Sequence, residues 1–475
     1  MQTSLRPYVT AGVALVGASL IAVTPVAPPP LGIQVHAVQL ASGDGGYVVN
    51  SPDDLVGLVV GGTGTPIPPE SYVDTANELY IQRILPGATS VGVFTPEGGS
   101  PIYTGVKSLP FDTSFAQGTT MLDTYIENNV NAGNTVAVSG VSQSSTISGF
   151  VMSDLEKDGI PADAVKFILV GDPSNPDGGL LERFAPLTLP SLQITFSGAT
   201  PPDTIYDTSI YTLEYDGFAD FPKYPINLLA DVNAFLGIQT VHPTYDDLTP
   251  QQFDNAIPLQ PTAGYDGVTD YYVIPHSAPL VGLIQTIFGK PVADLIGPDL
   301  TQIINLGYDN PDNEGWDVGQ PNVPTQFGLF PSLDQVMTAF KNMGPAAEQG
   351  IAAFTNDLSH PSAADAPAWL TDLMSGGGAS SADPASLTDI VNALSGAFSQ
   401  AYSILLPTAD IATALAVQLP TYDLSLFTEN LANPIDAIGL PIAADTGLYT
   451  LAAGIELMVI EETVQAIQAD LAGVF

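Results

Sequence analysis

The sequence contains no cysteine. A cysteine nucleophile, a disulfide framework and a thiolate metal site are therefore excluded, and the fold must be held by its core. Positive charge is almost as scarce: 9 Lys and Arg stand against 50 Asp and Glu, for a formal net charge of -41. Such a chain repels phosphate backbones, so nucleic acid is excluded as a partner. It also has no polybasic cluster with which to hold an anionic lipid surface. Neither a G-x-G-x-x-G turn nor a P-loop lysine occurs, so no nucleotide cofactor is expected. The oxygen-rich stretch Asp309-Asn310-Pro311-Asp312-Asn313-Glu314-Gly315 misses the spacing of an EF-hand and is interrupted by Pro311. We read it as a solvated loop and expect no metal. Histidine is rare as well, at positions 36, 242, 276 and 360 only.

What the chain does have is length and apolar content. Its 475 residues are 45% hydrophobic, with 45 Gly and 42 Pro, enough for a sizeable core joined by many turns. Arg6 precedes an apolar run over residues 11–27, broken at Pro25, and Val35-His36-Ala37 is a small-x-small site. This pattern predicts a signal peptide over residues 1–37, and hence a secreted or cell-envelope-associated protein. The competing reading is a retained anchor, for which the run is short. Residues 38–50 read as a linker.

From Leu55 the pattern becomes strand and helix in alternation. The buried-strand runs are residues 55–60, 88–94, 135–139, 165–170 and 210–215, with helices over 71–84, 114–130 and 145–157. This predicts an α/β architecture over residues 51–310, a mostly parallel sheet flanked by helices. Residues 311–475 read as a mainly helical, Ala-rich region with linkers. Residues 245–300, apolar and Pro-rich, are expected to cover the site as a lid.

A nucleophilic serine needs exposure on a strained turn, a base, and donors for the developing oxyanion. Gly140-Val141-Ser142-Gln143-Ser144 follows a predicted strand and opens a predicted helix, the setting of a nucleophile elbow, with serine in place of the usual second glycine. The pentapeptide alone is also compatible with an ordinary helix-capping serine. His242 and His276 both lie downstream, as the order Ser, acid, His requires. We assign the base to His242, with His276, in an apolar run, as the alternative. The candidate acids are Asp172, Asp207, Asp216 and Asp220, and the loop Tyr215-Asp216-Gly217-Phe218-Ala219-Asp220, after a strand and before His242, is preferred. Asp220 is assigned to orient the imidazole, with Asp216 as the alternative that fixes the turn. The oxyanion donors are expected from Gln143 and from Thr63, in the Gly61–Thr65 turn after the first strand.

Four segments together resemble the PE-PPE C-terminal domain, a cutinase-like serine α/β hydrolase of mycobacteria. They are Val60-Gly61-Gly62-Thr63-Gly64-Thr65-Pro66, Gly140-Val141-Ser142-Gln143-Ser144, Tyr215 to Pro222, and Val241-His242-Pro243-Thr244-Tyr245. The resemblance covers about residues 51 to 310. It implies a triad of Ser142, Asp220 and His242, an oxyanion hole at Thr63 and Gln143, and esterase activity on acyl (lipid) esters. Some similar exported proteins are acyltransferases of cell-envelope glycolipids, which implies acyl transfer as the alternative. A non-catalytic envelope interaction protein is the third reading, and peripheral association with an envelope or membrane remains open. The sequence departs from the family in lacking disulfides and in showing a signal-like segment where a PE or PPE helical module is expected.

Overall fold

Residues 54–104, 108–360 and 403–472 are described by a computed structural model, with scattered positions between 361 and 402. The expected signal peptide, the linker at residues 38–50 and His36 lie outside the described residues. From residue 54 onward the described residues form one compact unit.

Among the described residues, seven strands form one sheet in the order β2-β1-β3-β4-β7-β9-β8. They are β1 (Leu55–Val59), β2 (Thr89–Gly92), β3 (Thr135–Val141), β4 (Val165–Val170), β7 (Asp207–Leu213), β8 (Ile257–Leu259) and β9 (Thr269–Ile274). Only β8 runs antiparallel, against β9; every other pairing in the sheet is parallel. A separate two-stranded ribbon pairs β5 (Thr188–Leu189) with β6 (Ile194–Thr195).

The expected α/β class is what the sheet shows, and the reason is visible in the strand sequences. β3 and β4 are mostly apolar because both faces are covered, and alternate residues go to different cores. Val136, Val138, Phe167 and Leu169 pack on one face with Leu122 of α2 (Phe111–Asn131) and with Ile147, Val151 and Leu155 of α3 (Gln143–Asp158). Ala137, Ile168 and Val170 pack on the other with Ala76 of α1 (Glu70–Ala76) and with Tyr80 and Ile81 of the π turn that continues it.

β1 lies between β2 and β3, so the chain leaves β1 toward one side and returns on the other. Such a reversal opens a crevice beyond the C-terminal ends of the two strands, where ligands of doubly wound sheets bind. The turn after β1 and the segment after β3 both emerge into it.

The later helices are α4 (Leu228–Thr240), α5 (Pro279–Phe288), α6 (Lys290–Asn305), α7 (Leu333–Ser359), α8 (Leu405–Thr413), α9 (Leu419–Glu429) and α10 (Pro434–Ala472). α10 is long and apolar enough, over Pro434–Gln468, to cross a membrane by length and composition. One of its faces is packed on the sheet domain. A Cβ on Gly447 would come within 3.0 Å of Pro225, and one on Gly454 within 2.4 Å of the Phe235 ring. The polar stretch before α7 is tied down too. Asp317 pairs with the fully buried Arg183, which also donates to the Thr325 carbonyl at 2.7 Å. The loop read as solvated is only partly so: Asp312 and Glu314 are exposed, while Asn310 and Asn313 are buried and donate to the carbonyls of Trp316 and Gln302.

Several acids are buried without a cation. Burial raises Glu97 to about 8 and Glu214 to about 7. A carboxyl whose folded pKa is raised binds more protons folded than unfolded. Its contribution is therefore complete below about pH 4.5 and is lost as pH rises toward the folded value, at about 1.4 kcal/mol per pH unit for each group. The net charge of -41 adds repulsion in the same direction. The melting temperature is expected to fall steadily between pH 5 and pH 8 in scanning calorimetry. A flat or rising profile would contradict this account.

Candidate active site

β3 hands over to α3 through a single strained residue. Ser142 has φ +57° and ψ -118°, a conformation side chains rarely adopt and that persists only where neighbours over-determine it. Three contacts do so. The Ser142 N–H donates to the Val170 carbonyl at 3.0 Å, and the Ser145 N–H to the Ser142 carbonyl at 2.9 Å. The Ser144 hydroxyl accepts from the Val141 N–H at 2.8 Å. Serine in place of the second small residue thus braces the elbow from inside. Gly140 has no such substitute, because a Cβ there would lie 2.9 Å from the Ser144 carbonyl oxygen.

His242 follows α4 and opens a 3-10 turn, His242–Asp247. Its Nε2 lies 2.7 Å from Ser142 Oγ. Its Nδ1 lies 2.8 Å and 2.9 Å from the two carboxylate oxygens of Asp216. The Phe218 ring stands edge-on to the imidazole, with centroids 4.8 Å apart. Asp216 is fully buried and also accepts from the Tyr245 hydroxyl at 2.8 Å and the Phe218 N–H at 3.0 Å. Three donors therefore fix one carboxylate, which in turn fixes one ring.

The assignment of Asp220 as the acid beside the imidazole is corrected. Tyr215 sits at φ +66° and turns the chain sharply at the end of β7. That turn aims Asp216 across the strand end at His242. It folds Asp220 back on its own loop, where its carboxyl accepts the Tyr215 N–H at 2.9 Å. Asp220 is thus the residue that fixes the turn, and burial holds its carboxyl well above the usual range.

The other expected residues are placed as follows. Gln143 is the first residue of α3, where backbone N–H groups have no carbonyl within the helix to pair with. Its side chain donates to Thr63 Oγ1 at 3.1 Å and to the Gly98 carbonyl at 2.9 Å, tying the turn after β1 to the elbow. That turn comes close to the serine: a Cβ built on Gly62 would lie 3.5 Å from Ser142 Cβ. His276 is half-buried just beyond β9, its ring against the Ser277 carbonyl. His360 is exposed after α7, against the Asn356 carbonyl. Neither belongs to the site.

Ser142, His242, Gly62, Thr63 and Gln143 line the floor of a cavity of about 540 Å³. Its other walls are largely apolar, from Phe115, Leu180 and Phe196 on the sheet domain and from Leu415, Leu451 and Ile455 of the C-terminal helices. Of the stretch expected as a lid, only Tyr245 and Asp246 contribute. The cover comes from residues 411–462 instead. Two participants went unassigned in the sequence. Tyr245 lies three residues after His242, on the same short helix, and that spacing was its available signal. The C-terminal wall had no local signature of chemistry at all.

A hydroxyl hydrogen-bonded to an imidazole that is held by a buried carboxylate can lose its proton as it attacks a carbonyl carbon. A family model described as the PE-PPE domain matches residues 86–309. Three similar proteins are all from Mycobacterium tuberculosis. The uncharacterized PPE family protein PPE28 is 39% identical over 446 residues, covering 88% of this chain and 67% of that protein. Esterase PE16 is 45% identical over 281 residues, covering 58% of this chain and 51% of that protein. Diacyltrehalose acyltransferase Chp2 is 28% identical over 214 residues, covering 37% and 59%. The chain thus spans between half and two thirds of the length of these relatives. With its motifs in order and the 39% identity sustained over two thirds of PPE28, this chain belongs to the PE-PPE domain family.

Proposed function

We propose that this chain is a serine esterase acting on acyl lipid esters through an acyl-enzyme on Ser142. The observation that carries the reading is the continuous relay from Ser142 Oγ to His242 to the buried Asp216, set in the floor of an apolar cavity. In this reading Ser142 Oγ attacks the ester carbonyl as His242 Nε2 takes its proton. Asp216 holds the tautomer and stabilises the imidazolium. The developing oxyanion takes hydrogen bonds from the Gln143 N–H at the start of α3 and from the Thr63 segment. His242 then protonates the leaving alcohol and activates the deacylating hydroxyl.

Whether that hydroxyl belongs to water or to an acceptor alcohol decides between hydrolysis and transfer. Similarity to a protein named esterase and to one named diacyltrehalose acyltransferase supports an ester substrate in both cases. The higher identity to the esterase favours hydrolysis as the first reading. We place the activity outside the cytoplasmic membrane, on the apolar run over residues 11–27.

A fluorophosphonate probe should label Ser142 stoichiometrically, with the adduct located by peptide mass spectrometry, and short-chain p-nitrophenyl esters should be cleaved. An added glycolipid acceptor should leave p-nitrophenol release and free-acid formation linked one to one. Acylated acceptor formed at the expense of free acid would assign transfer instead. A chain inert to the probe would be a non-catalytic binding protein.

A further inference from the structure

The C-terminal helices lie beyond residue 309, where the family match ends, yet they build a wall of the cavity over Ser142. Leu448, Leu451, Ile455 and Met458 of α10 all line it, and so does Glu462. Their spacing is 3, 4, 3 and 4 residues, which puts them in one stripe along one helix face. Fourteen residues of helix give that stripe a length of about 21 Å. Ile411 and Ala414, on and just after α8, stand beside it and pack with Ile102 and Leu192 of the sheet domain.

The distribution of polar groups along this cavity is uneven. Hydroxyl, amide and imidazole groups gather at the floor, around Ser142, Gln143 and His242. Along the helical wall the side chains are aliphatic as far as Glu462, which is exposed. A sugar or a charged group placed against that wall would lose its hydration with nothing to pair to. A hydrocarbon chain loses nothing there and gains from every methylene buried.

We infer that the C-terminal helices form one side of a channel for the acyl chain of the substrate, and that Ile411, Ala414, Leu451, Ile455 and Met458 set acyl-chain length. The inference rests on the esterase reading for its position at Ser142, but the channel is open to test without the chemistry.

In the unaltered chain, kcat/KM for p-nitrophenyl esters should rise from acetate through octanoate to laurate. The slope should be about fourfold per methylene until the channel is full. Ala414→Trp and Ile455→Trp each place an indole in the channel. Each should cut the laurate-to-acetate ratio of kcat/KM at least tenfold. Leu424→Trp, on the exposed side of α9, adds the same bulk away from the channel and should leave the ratio unchanged. Direct binding of laurate to Ser142→Ala, followed by calorimetry, reads the channel with the reaction switched off. It should be retained in Ser142→Ala and lost when Ala414→Trp is added. Circular dichroism of each variant separates blockage from misfolding. The milder Met458→Ala should lengthen the preferred chain if either Trp variant does not fold. A chain that cleaves no ester but binds laurate in this way would overturn the esterase reading and leave the channel standing. Chain-length preference and laurate binding unmoved by the channel variants would overturn the channel.

Discussion

Replacing Ser142 with alanine is expected to lower kcat for ester cleavage by about 10⁶, to the level that binding and oxyanion donors alone support. The substitution removes one hydroxyl whose hydrogen-bond partner is His242 Nε2. It leaves the elbow in place, since the bonds that hold it come from the Ser142 backbone and from the Ser144 side chain. Alanine bears the same Cβ at φ +57° as serine, so the strain is unchanged and the melting temperature should move little. His242→Ala should fall nearly as far, and the double variant no further than either, because the two groups act as one unit. Steady-state rates on p-nitrophenyl acetate, normalised to folded protein and compared with an unaltered chain whose active sites are titrated by fluorophosphonate, measure the loss. Ser142→Ala retaining more than a few per cent of the rate would place the nucleophile elsewhere.

The legible parts of this molecule were those with a local cause. The elbow could be read because strand, small residue and helix start are contiguous in sequence, and β3 and α3 flank Ser142 as expected. That His242 would lie beside Ser142 was legible through scarcity and place: of four histidines, His36 falls in the N-terminal segment and His360 in the Pro/Ala-rich C-terminal part, which leaves two. The parallel sheet was legible because strands covered on both faces leave unbroken apolar runs. The choice between Asp216 and Asp220 was not. Both sit in one six-residue loop, and what separates them is the left-handed backbone at Tyr215, a residue type with no preference for that conformation. The C-terminal wall was hidden for a different reason. The spacing of Leu448, Leu451, Ile455 and Met458 marks one apolar face of a helix, but periodicity says nothing about what that face packs against. Only the fold brings it over Ser142, some 300 residues earlier in the chain.

The same loop yields the sharpest test of the site. Asp216→Asn is expected to lower kcat by about 10⁴, because an amide facing Nδ1 favours the wrong imidazole tautomer and cannot offset the imidazolium charge. Asp220→Asn should behave quite differently. Burial pushes the Asp220 carboxyl well above its usual range, which disfavours its charged form, and no imidazole faces it. Its oxygen accepts the Tyr215 N–H, and an asparagine oxygen can do the same. The exchange therefore conserves shape and hydrogen bond, and kcat should stay within about tenfold of the unaltered chain. The contrast is informative because the two carboxyls are four residues apart and both fully or nearly fully buried, so a general loss of packing would affect them alike. Their kcat values on one ester, compared at pH 7 with melting temperatures alongside, separate the roles. Equal losses from Asp216→Asn and Asp220→Asn would mean that the loop acts on the reaction through its fold, and that the 2.8 Å contact between Asp216 and His242 does not carry the charge of the imidazolium.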